Sequence, residues 1–479
     1  MSISGAMNAA ITGLRAAARG SELVSNNIAN ALTPTYGRRE LELSSLTSGS
    51  GGVRIDAVSR HMNEGIVADR RIADAEQRES QAAVDFFRQV EDIVGIPGSE
   101  TGLNSRLAAF ESSLISAASH PDSTERLAEA TSDARRLAEG IQQASASVQH
   151  MRSEADIQIG RDVETLNTAL GQVEKLNAQI AVSLVRTGDA GALLDQRQAV
   201  LDTIGSIVPI RVLPRDGGNI AIYSEGGAIL LDGTAAEIGF SQQNTVTAYQ
   251  TREAGTLSGL AMNGQEIRLD ALAGGSLGAS FAVRDDYGVE VQSKLDALAR
   301  DMVERFQDAS VDATRAAGDP GLFTDQGTAF DPTNEVGIAS RIQLNTGVDP
   351  NAGGAVWRLR DGLGAALPGA AGDAGLINDL RSALQAPRDI STGPFGPGRY
   401  AANDLLSTFG GALAASRSNA EAELSFASAR FTELTELQLS QGVDTDQELQ
   451  NLLVLEQAYA ANARVIQAAD DMLETLMRI

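Results

Sequence analysis

The chain contains no cysteine. Disulfides, thiolate metal sites, iron–sulfur clusters and cysteine nucleophiles are therefore excluded. Histidine is almost as scarce. His61, His120 and His150 stand alone, none with a second histidine at metal-ligand spacing. Each reads as a surface or cap residue, so neither metal nor cofactor is expected. Aromatic residues make up 4 % of the chain, which points to thin helical layers rather than one thick core. No run of roughly 18 apolar residues exists, so no membrane insertion is expected. The opening residues lack the basic patch and apolar block of a cleaved signal peptide, and export by the general secretory route is not expected. Positive charge is also short. Lys+Arg total 38 against 63 Asp+Glu, a net charge of −25. A phosphate backbone calls for a cationic surface, so nucleic acid is excluded as the default partner and anionic lipid is disfavoured.

What the 479 residues do hold is helical periodicity. Ile3, Met7, Ala10, Leu14, Ala17, Ser21, Val24 and Ile28 recur in alternating steps of four and three, a heptad seam that keeps one apolar stripe on a partner helix. Thr33-Pro34 stops it, because the residue before proline resists the helical region. Residues 35–60 read as an extended connector. Helix returns over 62–94 with a stop at Ile96-Pro97, and again over 103–118 with a stop at His120-Pro121. From Ile141 to Leu184 the apolar series keeps helical period, so 124–186 reads as one helix roughly 90 Å long.

The character changes at Pro209. Branched runs separated by Gly/Asp turns predict β hairpins from about 208 to 284. Helix is expected over 288–313. Residues 317–400 are rich in Gly, Pro and Asp, with strand candidates at 338–344 and 356–359 and a short helix near 374–385. Helix resumes from 401 to 440. After Gly442, Asp444 and Gln447 suit a capping box. The last helix carries a second heptad: Leu452, Leu455, Tyr459, Asn462, Ile466, Ala469, Leu473 and Leu476.

The expected fold is mainly α with a β-rich centre. Residues 1–35 and 443–479 form a terminal coiled-coil domain. Residues 36–316 and 401–442 form an elongated helical body with the hairpins. Residues 317–400 form a reduced loop/β region in place of an outer domain. The two terminal seams pair with each other, with neighbouring copies, or with both.

Catalytic constellations are missing. There is no P-loop, HExxH or GxSxG pattern. Gly274-Gly275-Ser276-Leu277-Gly278 reads as followed by strand, which lacks the strand–loop–helix order of a phosphate cradle. Adjacent acids such as Asp285-Asp286 and Asp470-Asp471 point apart on a helix. Asp325 and Asp331 lack calcium-loop spacing. The residues favour a structural or assembly protein over an enzyme on a helical oligomerisation scaffold.

Two terminal motifs then narrow the class. Ser25-Asn26-Asn27-Ile28-Ala29-Asn30 with Thr33-Pro34-Thr35-Tyr36-Gly37-Arg38 resembles the N-terminal signature of the bacterial flagellar axial family of rod, hook and hook-associated proteins. That family usually has glycine where Thr35 stands. Gly442-Val443-Asp444, Gln457 to Ile466 and Ala469 to Leu473 resemble its C-terminal signature. Leu193-Leu194-Asp195-Gln196-Arg197, Leu201, Val208 to Val212 and Asp216-Gly217-Gly218 resemble the interior of the hook–filament junction branch rather than the β-rich hook protein. Flagellins lack the Ser25–Asn30 and Tyr36 signature.

The resemblance implies a junction ring at the distal end of the hook, a mechanical adaptor on which the filament assembles. It implies self-association into a ring or helical oligomer. The further partners implied are hook protein, a second junction protein and a cytoplasmic export chaperone. It also implies type III export and an extracellular site. Hook or distal rod protein is the alternative within the family. Assembly residues are expected at Ile3, Met7, Leu14, Val24, Ile28, Leu452, Leu455, Ile466, Leu473 and Leu476. Asn26, Asn27 and Asn30 are expected to cap or to bond neighbouring backbones, Asn462 to fix register, and Tyr36 and Tyr459 to suit an interface or a core.

Overall fold

A computed structural model describes residues 2–46, 51–95, 102–390 and 393–478. Its axis is one helix, α4 (Thr124–Thr187), 64 residues long and so about 95 Å at 1.5 Å per residue. Ser123 caps its start by accepting from Arg126 N. Gly188, at φ 65°, ends it by donating to Leu184 O. The earlier helices are α1 (Ile3–Ala29), α2 (Glu64–Val94) and α3 (Leu103–Ser119). The expected proline stop after α2 lies outside the described residues. Between α1 and α2 the chain forms an antiparallel hairpin, β1 (Arg38–Ser45) and β2 (Val53–His61), where a connector was expected. Leu41 turns inward between exposed Glu40 and Glu42, and a bulge after Glu42 leaves Leu43 exposed.

Two apolar cores share α4. Its N-terminal half buries Leu127, Leu137, Ile141 and Val148 against α2, α3 and the later helices. Its C-terminal half buries Ile159, Leu166, Leu170 and Val173 against α5 (Gly191–Ile207) and the central β structure. That β structure comprises a four-stranded antiparallel sheet of β3 (Ile210–Pro214), β4 (Ile220–Ser224), β5 (Ile229–Asp232) and β6 (Thr234–Ala235). Beside it lies a three-stranded sheet of β7 (Ile238–Phe240), β8 (Leu260–Met262) and β9 (Gln265–Ile267). Between the cores lies a polar layer. Buried Arg152 and Asp156 of α4 meet Arg284 there, with Arg152 Nε donating to Arg284 O at 2.7 Å and Arg284 Nη1 to Asp156 Oδ1 at 2.6 Å.

The β reading of 275–284 is overturned. α6 (Gly275–Phe281) runs through a π-helical turn, Ala282–Tyr287, into α7 (Gly288–Gln307). Leu277 and Phe281 sit four apart and both bury in the second core. Gly274 at φ 93° and Gly275 at φ 62° make the tight entry. A Cβ on Gly275 would lie 2.4 Å from Ile207 O, so these glycines serve close packing on the end of α5. α7 also stops six residues before the expected end at 313.

Residues 317–400 pack into the first core. Phe323, Ile338, Ile342 and Leu359 are completely or almost completely buried there. The short strands β10 (Phe323–Asp325) and β11 (Ile342–Leu344) pair, and Ile338–Ser340 is a 3₁₀ turn. The strand expected at 356–359 is instead a turn leading into α8 (Arg358–Asp361), because Val356 and Leu359 face the core three residues apart. α9 (Gly375–Gln385) and the pair β12 (Arg388–Ile390) and β13 (Gly398–Tyr400) follow. α10 (Ala402–Ser440) then packs along α2, and α11 (Thr445–Met477) along α1.

Candidate assembly interface

α1 and α11 run antiparallel in heptad register. Gly13 faces Asn462, Gly20 faces Leu455 and Asn27 meets Glu448, each step seven residues on both helices. A Cβ on Gly13 would fall 2.8 Å from Asn462 Nδ2, and one on Gly20 would fall 3.0 Å from Leu455. The glycines therefore let the helices close on bulkier partners. The contact stripe on α1 is Gly13, Ala17, Gly20, Val24 and Asn27. It shares Ala17 and Val24 with the expected seam, whereas Leu14 and Ile28 sit half-buried at its flank. Ile3 and Met7 are also half-buried, and Val24 is buried.

The base of the pair is polar, and Asn27 within it is fully bonded. Asn27 is completely buried. Its amide donates to Arg39 O at 2.9 Å and to Glu448 Oε2 at 3.2 Å. Its oxygen accepts from the Tyr36 hydroxyl at 2.7 Å and from Arg39 N at 3.0 Å. Glu448, itself 1 % exposed, takes a further bond from Arg38 Nε at 2.7 Å. Arg39 lies 4.9 Å above the Tyr36 ring. Burial raises the Tyr36 hydroxyl above its ordinary pKa, against the pull of Arg39. Asn27 thus bonds backbone and side chains within its own chain. Asn30 caps α1 and donates to Asn26 O at 2.9 Å, while Asn26 is exposed. Asp444 caps α11 through Asp446 N and Gln447 N.

Asp195 of α5 ties this unit to the body. It accepts from Arg39 Nη2 at 2.5 Å, Arg60 Nε at 2.9 Å and Gly37 N at 3.1 Å. Arg19 of α1 reaches Asp189 beyond α4 at 3.1 Å.

The opposite end of α11 is bare. Leu452, Leu455, Asn462 and Ile466 are half-buried, but Tyr459 is 45 %, Leu473 39 % and Leu476 60 % exposed. In this register Leu473 stands level with Ser2, the N-cap of α1, and Leu476 lies past its start. The structure therefore brings together Val24, Asn27, Tyr36, Leu455 and Asn462. The side chains of Asn26, Tyr459, Leu473 and Leu476 stay exposed. No sequence motif singles out Glu448 or Arg39, and Arg38 and Asp195 enter the sequence reading only as members of the signature runs. Gly13, Gly20 and Asn27 were legible as a seven-residue repeat of small and polar residues. The acids considered as cation ligands are engaged elsewhere: Asp325 bonds Arg341 with both oxygens, and Asp331 caps the turn at Thr333.

Comparison with known proteins adds independent findings. The family model described as the flagellar hook-associated protein FlgK helical domain matches residues 87–323. The flagellar basal body rod FlgEFG protein C-terminal model matches 440–479. Flagellar hook-associated protein 1 of Escherichia coli K12 is 26 % identical, with all of both chains covered. The protein of that name from Bacillus subtilis 168 is 22 % identical over 94 % of this chain and 93 % of its own. The solved flagellar hook junction protein FlgK from Burkholderia pseudomallei is 22 % identical, covers 54 % of this chain and 46 % of its own, and has a TM-score of 0.42.

Proposed function

The chain belongs to the flagellar hook-associated protein 1 family, and from that premise we infer that it forms the junction ring at the distal end of the hook, joining hook to filament. Its role is that of a structural flagellar component. One observation carries the ring reading. α11 is apolar on more sides than α1 covers. Beside the stripe that faces α1 runs a second one, Val454, Ala458, Ala461, Val465, Ala468 and Met472, again in steps of four and three. Val454 is 64 %, Val465 44 % and Met472 50 % exposed. A helix apolar on several faces calls for several neighbours. Helices of adjacent copies packed around a central tube supply them.

Terminal residues 1–35 and 443–479 form the inner layer of this ring, and the α4 body stands outside it. Hook protein binds on one side and a second junction protein on the other. Before export, the exposed aliphatic flank of α11 gives a cytoplasmic chaperone its handle, and the assembled protein lies outside the cell. No helix among the described residues is long and apolar enough to cross a membrane.

The test is to mix the purified protein with isolated hooks and view the tips by negative-stain microscopy. A short collar at one end only is expected. Bare tips, under conditions where a known junction protein binds, would return the assignment to rod or hook protein.

A further inference from the structure

At the base of the helix pair α1, α11 and the β1–β2 hairpin part to leave an open cavity of about 430 Å³. Its walls are Ala16 and Gly20 of α1, Leu41 and Leu43 of β1, and Val454 and Ala458 of α11. The hollow exists because α1 offers mainly small residues, Gly13, Ala16, Ala17 and Gly20, before Leu23 and Val24 close it toward the base. Leu43 remains 50 % and Val454 64 % exposed on its rim. This volume lies in the range that accepts a few large side chains.

The other end of the same helix pair carries a matching group. From Gly13 facing Asn462, one heptad step reaches Ala6 and Ala469, and Ala469 is completely buried. The next step carries Leu476 past the start of α1. Leu473, Leu476 and Met477 therefore project together, at 39 %, 60 % and 85 % exposure. They cannot reach the cavity of their own chain. Leu476 lies fourteen helical residues beyond Asn462, which is about 21 Å further along a straight rod.

We propose that the Leu473–Met477 end of α11 in one copy docks into the cavity between α1, α11 and the hairpin of a second copy. This rests on the junction-ring reading above. Three features select a second copy as the occupant. The cavity is continuous with the α1–α11 seam, so an entering helix end extends packing already present. The tail is aliphatic and short, like the hollow. Exposed Asp470 and Asp471 of the tail have no ion-pair partner among the described residues, while on the hairpin beside the cavity Arg38 is held by Glu448 but the Arg54 side chain stays 65 % exposed, bonded to its strand neighbour Asp56. The contact is heterologous, tail into base, and so links successive copies around the tube instead of closing a two-fold dimer.

The absence of cysteine gives a clean test. Leu43→Cys and Leu476→Cys are placed in one chain, which is assembled on isolated hooks, oxidised and run on a non-reducing gel. The expected result is a ladder of dimers and larger species. Each single variant alone stays monomeric, and an equal mixture of the two single variants stops at dimer. Collars that form on the hooks without a ladder overturn the docking while leaving the junction reading intact. So does a crosslink confined to single chains. Absence of collars with the unsubstituted protein overturns the junction reading and the docking with it. As a second measurement, Leu476→Met is expected to keep tip occupancy and Leu476→Asp to lower it at least ten-fold, both with unchanged monomer circular dichroism. Equal occupancy by the two rejects the contact.

Discussion

Asn27 and Glu448 lie 421 residues apart in the chain and meet at 3.2 Å, where the Asn27 amide donates to the Glu448 carboxylate. Both are buried. The contact closes the last turn of α1 on the first turn of α11 and fixes which residues of the two helices face each other. A shift of one residue would strand the buried amide and the buried carboxylate together, a cost that aliphatic contacts alone do not impose.

Asn27→Ala removes four bonds and leaves Glu448 with Arg38 as its remaining side-chain partner. Leaving buried partners unpaired costs roughly 1–3 kcal/mol each, offset where water enters. Native-state hydrogen exchange is expected to quicken across α1 and the first half of α11, with α4 unchanged. Equal quickening of α4 would show that the terminal pair and the body unfold as one unit.

Leu455→Asp and Leu473→Asp separate pairing from assembly. Leu455 packs on Gly20, so a carboxylate there loosens the monomer by about 2–4 kcal/mol, through lost burial and a charge set against the seam. Leu473 is 39 % exposed, so its replacement leaves monomer stability within about 0.5 kcal/mol. Both variants are expected to leave hook tips bare. Urea titration followed by tip occupancy reads the difference. A destabilised Leu473→Asp monomer would mean that this end packs on its own chain.

Much of this architecture is legible in the sequence because it is local. Four-three spacing exposes the terminal helices, and uninterrupted period from Ile141 to Leu184 exposes α4. Proline marks the stop after α1. What stays hidden depends on distant contacts. The segment 275–287 carries Phe281, Val283 and Tyr287, which favour strand, behind a glycine pair that looks like a turn, yet Leu277 and Phe281 gain more by facing the second core four residues apart. The Asn27 network draws on residues from α1, the hairpin and α11, so no single window contains it. Residues 317–400 look like loop because their few apolar groups are far apart, and only the fold shows Phe323 and Ile338 meeting one core.

Stability is expected to carry a pH dependence from Asp296. Its carboxylate is buried and accepts from Gln292 Nε2, Gly337 N and Ala339 N, each at 2.9 Å. Burial raises its pKa above the ordinary aspartate value, although these donors pull the other way. The folded state then holds a proton that the unfolded state has already released. This group's contribution is therefore fully present below the ordinary aspartate range and falls as pH rises through its raised folded value. Asp296→Asn cannot ionise, and it turns one of the three bonds into a clash of donors. The variant should be weaker throughout, but the deficit should shrink as pH rises from about 4 to about 7. Urea midpoints of both proteins at a series of pH values give that difference, and a deficit that grows with pH would reverse the sign.

The polar layer between the two cores supplies the last prediction. Arg284 is completely buried and bonds Asp156 at 2.6 Å and Asp285 at 2.8 Å. Asp156 also accepts from Gln243 N, and Arg284 donates to Ser258 O. Asp156→Leu removes one partner from a buried cation and should cost about 3–5 kcal/mol. Arg284→Met strands two carboxylates and should cost a similar amount. In the double variant the Asp156–Arg284 attraction is lost only once, and no buried cation is left facing an apolar side chain. Its cost is therefore expected to fall at least about 1 kcal/mol short of the sum of the single costs. Thermal or urea unfolding of all four proteins completes the cycle. Strict additivity would show that Asp156 and Arg284 act separately, each through its own backbone bonds, and that the layer between the cores is held by its loops rather than by the ion pair.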